Sequence, residues 1–315
     1  MPLNPLAEEL NSTIKENVPQ VYQLLSELGK ELYFPKGILS QSQEAKKLAK
    51  KYNATIGIAT QDHQAMHLPS LKSMFSPSLE ADCLFPYAPS LGVKKLRDRW
   101  QAHQKNKNKD FVETHLPVVT QGLTHGLSLV ADLFVDSNTV VLLPDLHWGN
   151  YRLMCGVRYK GQVQTYKLFN EQNTGLEFDH LKQCLQKNIG KKVVLVLNFP
   201  NNPTGYSPRV SEVKKLKETL LESAESGSQF VVVCDDAYFG MVYENDCERQ
   251  SIYYHMANCH KNIVTVKIDG STKECFSWGF RVGFITLAIK GAKQETYHAF
   301  EQKIGGAIRS LVSNI

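Results

Sequence analysis

Four short segments of this 315-residue chain place polar, reactive side chains directly behind apolar runs. Asn198 opens NFPNNPTG (198–205), Asp235 opens DDAY (235–238), and Lys273 closes DGSTK (269–273), with Arg281 eight residues further on. The fourth segment, PDLHWGNY (144–151), carries Trp148. In chemical terms the set holds an amine fit to act as nucleophile or proton carrier, a guanidinium fork for an anion, and carboxylates that can stabilise a cation. Taken singly, each has an ordinary reading: a solvated lysine, an aspartate capping the next helix, an Asn-Pro turn, a tryptophan used for packing. Only the ordered set makes a functional reading the stronger one.

The elements that must position these residues are legible as patterns. Apolar runs occur at LPVV (116–119), TVVLL (139–143), KVVLVLN (192–198), QFVVVCD (229–235), NIVTVKI (262–268) and VGFITL (282–287). Near-continuous runs of this kind are buried on both faces, which predicts an α/β fold with a mostly parallel central sheet covered by helices on both faces. In such sheets ligands lie beyond the carboxyl ends of the strands, where the polar segments stand. Ser207 and Pro208 are expected as N-cap and first residue of a helix, with Val213, Leu216 and Leu220 on its inner side. Gly122, Leu123 and Thr124 follow a short strand and open an amphipathic helix with Leu127, Val130 and Phe134 inward. Before residue 80 the texture is mixed: an amphipathic stretch near Val21–Leu32, a basic helical stretch over Glu44–Tyr52, then polar loops.

Composition bounds the class. Hydrophobic residues make up 42% and charged ones 21%, as in ordinary globular proteins rather than disordered chains. The net charge of +5 is spread out; Lys105, Lys107 and Lys109 read as a solvated loop, not as a nucleic-acid contact. The seven cysteines show no Cys-x-x-Cys pairing, which points to buried free thiols and a reducing cytoplasm, with neither a disulfide framework nor a zinc site. His63 and His67 are four apart, but no glutamate adjoins His63 and Pro69 follows, so no metal helix is expected. Neither a leader nor a membrane span is legible, and the chain is read as cytoplasmic.

The ordered motifs resemble those of class I/II aminotransferases, the fold-type I pyridoxal-phosphate (PLP) enzymes related to aspartate aminotransferase. NNPTG (201–205) resembles the family's Asn-Pro-x-Gly element and DDAY (235–238) its Asp-x-Ala-Tyr element. Lys273 with Arg281 resembles its lysine-plus-eight-arginine element, and YAPSLG (87–92) followed by Leu96 and Arg97 its Tyr-x-Pro-x-x-Gly segment.

The resemblance implies a Schiff base between Lys273 and pyridoxal 5′-phosphate, with Lys273 later shuttling a proton. It assigns Asp235 to the pyridine nitrogen in preference to Asp236, because Asp235 stands three residues before Tyr238. Tyr238 and Asn202 are assigned to the ring hydroxyl oxygen, and Trp148 to the ring face. The phosphate falls to Arg281 and to the backbone of Gly122, Leu123 and Thr124. Tyr87 is expected to reach the phosphate in a neighbouring subunit, which implies a homodimer with shared active sites. Gly57 matches a position beside the substrate carboxylate, and Arg309 falls where some relatives read a dicarboxylic side chain, a structural role being the alternative.

Two departures stand out. The family's phosphate-binding serine, three residues before the lysine, is here Gly270, leaving Ser271 or Thr272 as substitutes. The chain also ends where relatives continue into a C-terminal small domain. The expected organisation is therefore an N-terminal segment (1–80) serving the small domain and dimer contacts, and a large PLP-binding domain (81–315). The expected activity is amino transfer between an amino acid and a 2-oxo acid; the alternatives are a fold-type I PLP lyase and a truncated, non-catalytic PLP-binding module.

Overall fold

The Val-, Ile- and Leu-rich runs become the strands of a seven-stranded sheet. The computed structural model describes residues 3, 5–33, 44–45, 47–50, 60–61, 64–65, 79–274 and 280–314. The strands are β1 (Val118–Gln121), β2 (Thr139–Pro144), β3 (Gln162–Tyr166), β4 (Lys192–Asn198), β5 (Gln229–Asp235), β6 (Ile263–Asp269) and β7 (Val282–Ile289), in the spatial order β1-β7-β6-β5-β4-β2-β3. The pairs from β6 through β5, β4 and β2 to β3 are parallel, and β7 runs antiparallel to both β6 and β1. The predicted α/β class and mostly parallel sheet are thus observed.

Strand parity divides the core in two. Val141, Leu143, Val194, Val196, Val231, Val233, Val264 and Val266 face one side, against α1 (Pro5–Asn17), α2 (Pro19–Leu24), α5 (Gly122–Phe134) and α10 (Gln294–Leu311). Their neighbours Val140, Leu142, Val193, Leu195, Phe230 and Val232 face the other, against α6 (Phe178–Gln186), α7 (Val210–Glu225) and α8 (Ile252–Met256). Burial on both faces is why these strands read as continuous apolar runs. β3 does not: QVQTY alternates, sits at the sheet edge and is only half-buried, so the run pattern missed it.

Three local expectations need correcting. The amphipathic stretch near Val21–Leu32 is two helices, α2 and α3 (Glu27–Glu31), parted where Ser26 caps α3 and donates to the Asp132 carbonyl. Helix α7 begins at Val210, not Pro208, because Arg209 bridges Cys247 and residues 208–210 exchange hydrogen bonds with Asp246 and Glu248; the Glu212 carboxylate then accepts from the Arg209 N–H. Lys105 and Lys107 are the last turn of α4 (Lys94–Lys107), not a loop, since Arg97, Trp100 and Gln104 bury one helical stripe.

Residues of the N-terminal segment pack on the large sheet: Ile14, Val18, Val21, Leu24 and Leu25 belong to the first core. Lys303, fully buried on α10, donates to the Gly29 and Leu32 carbonyls at 2.8 and 2.9 Å, satisfying the exit of α3.

Candidate active site

Because β7 is antiparallel, its start lies at the same sheet edge as the carboxyl ends of β1, β2, β4, β5 and β6. Gln121 pairs with Val282, so the next residues outward, Gly122 and Arg281, become neighbours although far apart in sequence. Asn198 likewise pairs with Asp235. A cavity of about 240 Å³ opens at this edge. Among the described residues it is lined by Leu123, Thr124 and Leu127 of α5; Trp148 and Tyr151 after β2; Asn198 and Asn202 after β4; Asp235, Ala237 and Tyr238 after β5; Thr272 and Lys273 after β6; and Arg281 before β7.

One end is built for an anion. Gly122 adopts a φ of +76°, and a β-carbon there would stand 2.7 Å from Arg281 Nη2, so only glycine lets the guanidinium lie against the start of α5. Among the described residues no side chain caps this helix, so its first N–H groups are left available at the same end of the cavity. Arg281 is itself held at a φ of +54°, a left-handed conformation uncommon outside glycine.

The rest of the site is built around a buried carboxylate. Asp235 Oδ2 accepts from the Tyr151 hydroxyl at 2.5 Å and Oδ1 from the Ala237 N–H at 3.0 Å. Burial pushes its carboxyl above the usual range, opposed by the Tyr151 hydrogen bond, the Ala237 N–H and the Lys273 charge. The same burial and the neighbouring carboxylate push the Tyr151 hydroxyl well up, so it stays a donor. Asn198 Nδ2 donates to the Asp235 carbonyl at 2.9 Å while its Oδ1 accepts from the Asn202 N–H at 2.8 Å, tying the β4 loop to the β5 end. Lys273 Nζ lies 4.7 Å from the centre of the Tyr238 ring. Trp148 meets Tyr151 edge to face at 5.5 Å.

The structure therefore gathers Lys273, Asp235, Tyr238, Asn202, Arg281, Trp148, Leu123 and Thr124 around one cavity, with Gly122 at its anion end. Ser271 is not among the lining residues, whereas Thr272 is, with Oγ1 3.4 Å from the Val282 carbonyl. Gly270 has a packing reason: a β-carbon there would come within 2.5 Å of the Val282 carbonyl oxygen, so a serine cannot be seated without moving β7. Tyr87 is 72% exposed and lines no part of this cavity. Arg309 also stays away, bonding Ser313 and Asn314 at the exit of α10. Gly57, His63 and His67 lie outside the described residues. Sequence reasoning gave no role to Tyr151 or Asn198. Their signal was present, since both stand in the polar segments after strands, but neither residue type announces a partner.

The class I and II aminotransferase family profile matches residues 49–294. The chain belongs to that family. It is 28% identical over 208 residues to a probable aspartate/prephenate aminotransferase of Aquifex aeolicus, covering 66% of this chain and 50% of that protein. It is 24% identical over 215 residues to an aspartate aminotransferase of Pyrococcus horikoshii, covering 68% and 51%. The chain spans about half the length of the curated relatives it matches. Among solved structures, an aminotransferase from Anaerococcus prevotii superposes with a TM-score of 0.67 at 21% identity, over 92% of this chain and 69% of that one. An aromatic aminotransferase from Pyrococcus horikoshii gives 0.57 at 19% identity, over 72% and 56%. These superpositions establish the shared fold.

Proposed function

We propose that the cavity binds pyridoxal 5′-phosphate and that this family member serves amino transfer between an amino acid and a 2-oxo acid. The observation that carries this reading is the chemistry of the donor set around one cavity. A lysine amine, a buried carboxylate held by neutral partners, and a guanidinium laid against an uncapped helix start all face it. Those groups match, in turn, an aldehyde, a protonated ring nitrogen and a phosphate.

When bound, the cofactor supplies an electron sink for the carbon that loses its proton. The chain's own residues do the rest. Lys273 would hold the cofactor by its aldehyde, and its amine would serve to move a proton at the substrate α-carbon. Asp235 keeps the ring nitrogen protonated, and Tyr151 with Asn198 fixes its orientation. Tyr238 and Asn202 donate to the ring hydroxyl oxygen, and Trp148 covers one ring face. Arg281, the α5 N–H groups of Gly122, Leu123 and Thr124, and the Thr272 hydroxyl take the phosphate. Tyr87, exposed and outside its own cavity, reaches the phosphate of a second subunit in a homodimer. Among the described residues, five of the seven cysteines are free thiols and four of those are buried, which accords with a reducing, cytoplasmic setting.

Purified with PLP, the protein should show a visible absorption band that borohydride reduction converts into a permanent adduct on the Lys273 peptide. Lys273→Ala should abolish both. A wild-type protein without band or adduct refutes the reading. Keto-acid-dependent amino exchange, measured beside ammonia and thiol release, separates amino transfer from lyase chemistry.

A further inference from the structure

Behind the cavity wall, on the side that faces away from it, lies a buried ionic cluster that the proposed chemistry does not use. Lys267, in the middle of β6 and 1% exposed, ion-pairs with Asp269 two residues on and stands 3.3 Å from Asp236 Oδ2. Asp236 also accepts from the Ser251 hydroxyl at 2.6 Å, and Asp269 Oδ2 from Trp100 Nε1 at 2.9 Å. Trp100 is fixed in turn, stacked on Phe284 with 4.4 Å between ring centres.

The same helix reaches the other end of the turn. His103 Nε2 and Lys107 Nζ, three and seven residues after Trp100, each lie 2.8 Å from Glu274 Oε1. Helix α4 thus holds residues 269 and 274, the two ends of the segment that presents Lys273. This turn is the last residue of β6, Gly270 and the single helical turn Ser271–Glu274, which packs on Val282 through Gly270 and Thr272. Burying one end in an ion pair fixes it further.

We propose that Lys267 is a positioning residue: its ammonium, buried against Asp269 and Asp236, pins the start of the 269–274 turn so that the Lys273 amine is presented to the cofactor's aldehyde. This rests on the PLP reading and deepens it. The ion pair lies on the far face of the sheet edge, so Lys267 acts through the backbone of the turn and touches neither cofactor nor substrate. Its loss should therefore impair the covalent attachment that depends on where Lys273 stands, and spare the phosphate end built from α5 and Arg281.

Two cofactor forms separate these effects. Pyridoxal 5′-phosphate carries the aldehyde that Lys273 joins; pyridoxamine 5′-phosphate carries an amine there and cannot be joined. Binding of each to the apoprotein is measured by absorption and fluorescence titration, with borohydride trapping on Lys273 as a separate readout. Lys267→Met should weaken the aldehyde form by about tenfold or more and lower the trapped fraction, while the amine form changes by less than about threefold. Equal weakening of both forms, or no change in either, overturns the proposal. If Lys267→Met does not fold, Trp100→Phe keeps the ring stacked on Phe284 and removes one donor to Asp269. It should show the same selectivity at a smaller size, about threefold, and an unselective result again overturns the proposal. A wild-type protein that binds neither form refutes the PLP reading itself, a result distinct from the others.

Discussion

Asp235 and Asp236 are consecutive carboxylates at one strand end, both buried and both pushed above the usual carboxylate range by that burial, yet their surroundings differ in kind. Asp235 faces the cavity and is held by a phenol and a backbone N–H, neutral donors that orient it without cancelling its charge. Asp236 faces the opposite way, where Lys267 and Ser251 already answer it. A carboxylate held by neutral donors keeps its capacity to stabilise a cationic ligand; one beside a resident ammonium has spent it on the fold.

The largest consequence falls on the side with the ion pair. Lys267→Met strands Asp236 and Asp269 without a counter-charge and should cost about 3–5 kcal/mol of unfolding free energy by urea titration. A loss below about 1 kcal/mol would mean that the two carboxylates do not depend on the ammonium. On the cavity side, Asp235→Asn keeps the shape and the acceptor for Tyr151 but removes the charge. It should lower the proposed amino exchange by about 10²–10³-fold, against less than about tenfold for Asp236→Asn. Similar losses for both would erase the distinction between the two aspartates.

Next in size is the packing that sets Lys273 beside β7. Gly270→Ser should cost about 1–3 kcal/mol, read as a lowered thermal midpoint, because the β-carbon meets the Val282 carbonyl. The ion-pair side also carries a pH dependence. Burial pushes the Asp236 carboxyl up to about 6 from an ordinary value of 3.8, against the opposing charge of Lys267. The folded state therefore binds its proton more tightly. That contribution to stability is complete below about pH 4 and is lost as pH rises through 6, with a slope of at most about 1.4 kcal/mol per pH unit. Stability measured from pH 4 to 7 should show this decline in the wild type and a flatter profile in Asp236→Asn.

The fold class, the strands buried on both faces and the segments that carry reactive groups are all legible in the residue pattern. Burial on both faces writes an unbroken apolar run, and a strand end writes an abrupt change to polar residues, so both are local signals. Lys273, Asp235, Tyr238, Asn202, Arg281 and Trp148 were legible for that reason. So was the glycine that opens α5. What depends on partners distant in the chain became visible in the folded molecule. The fold showed that Asp235 leans on Tyr151 and that Asn198 ties two loops together. It put Thr272 rather than Ser271 on the cavity, and it explained Gly270 by the carbonyl of a neighbouring strand. Edge strand β3 and the true start of α7 escaped notice because half-burial and a bridge to Cys247 leave no periodic trace. Lys267 escaped most completely: within a run of Val and Ile it reads as an exception, and its meaning appears only when the end of β5 brings Asp236 beside it and helix α4 brings Trp100 to its partner Asp269.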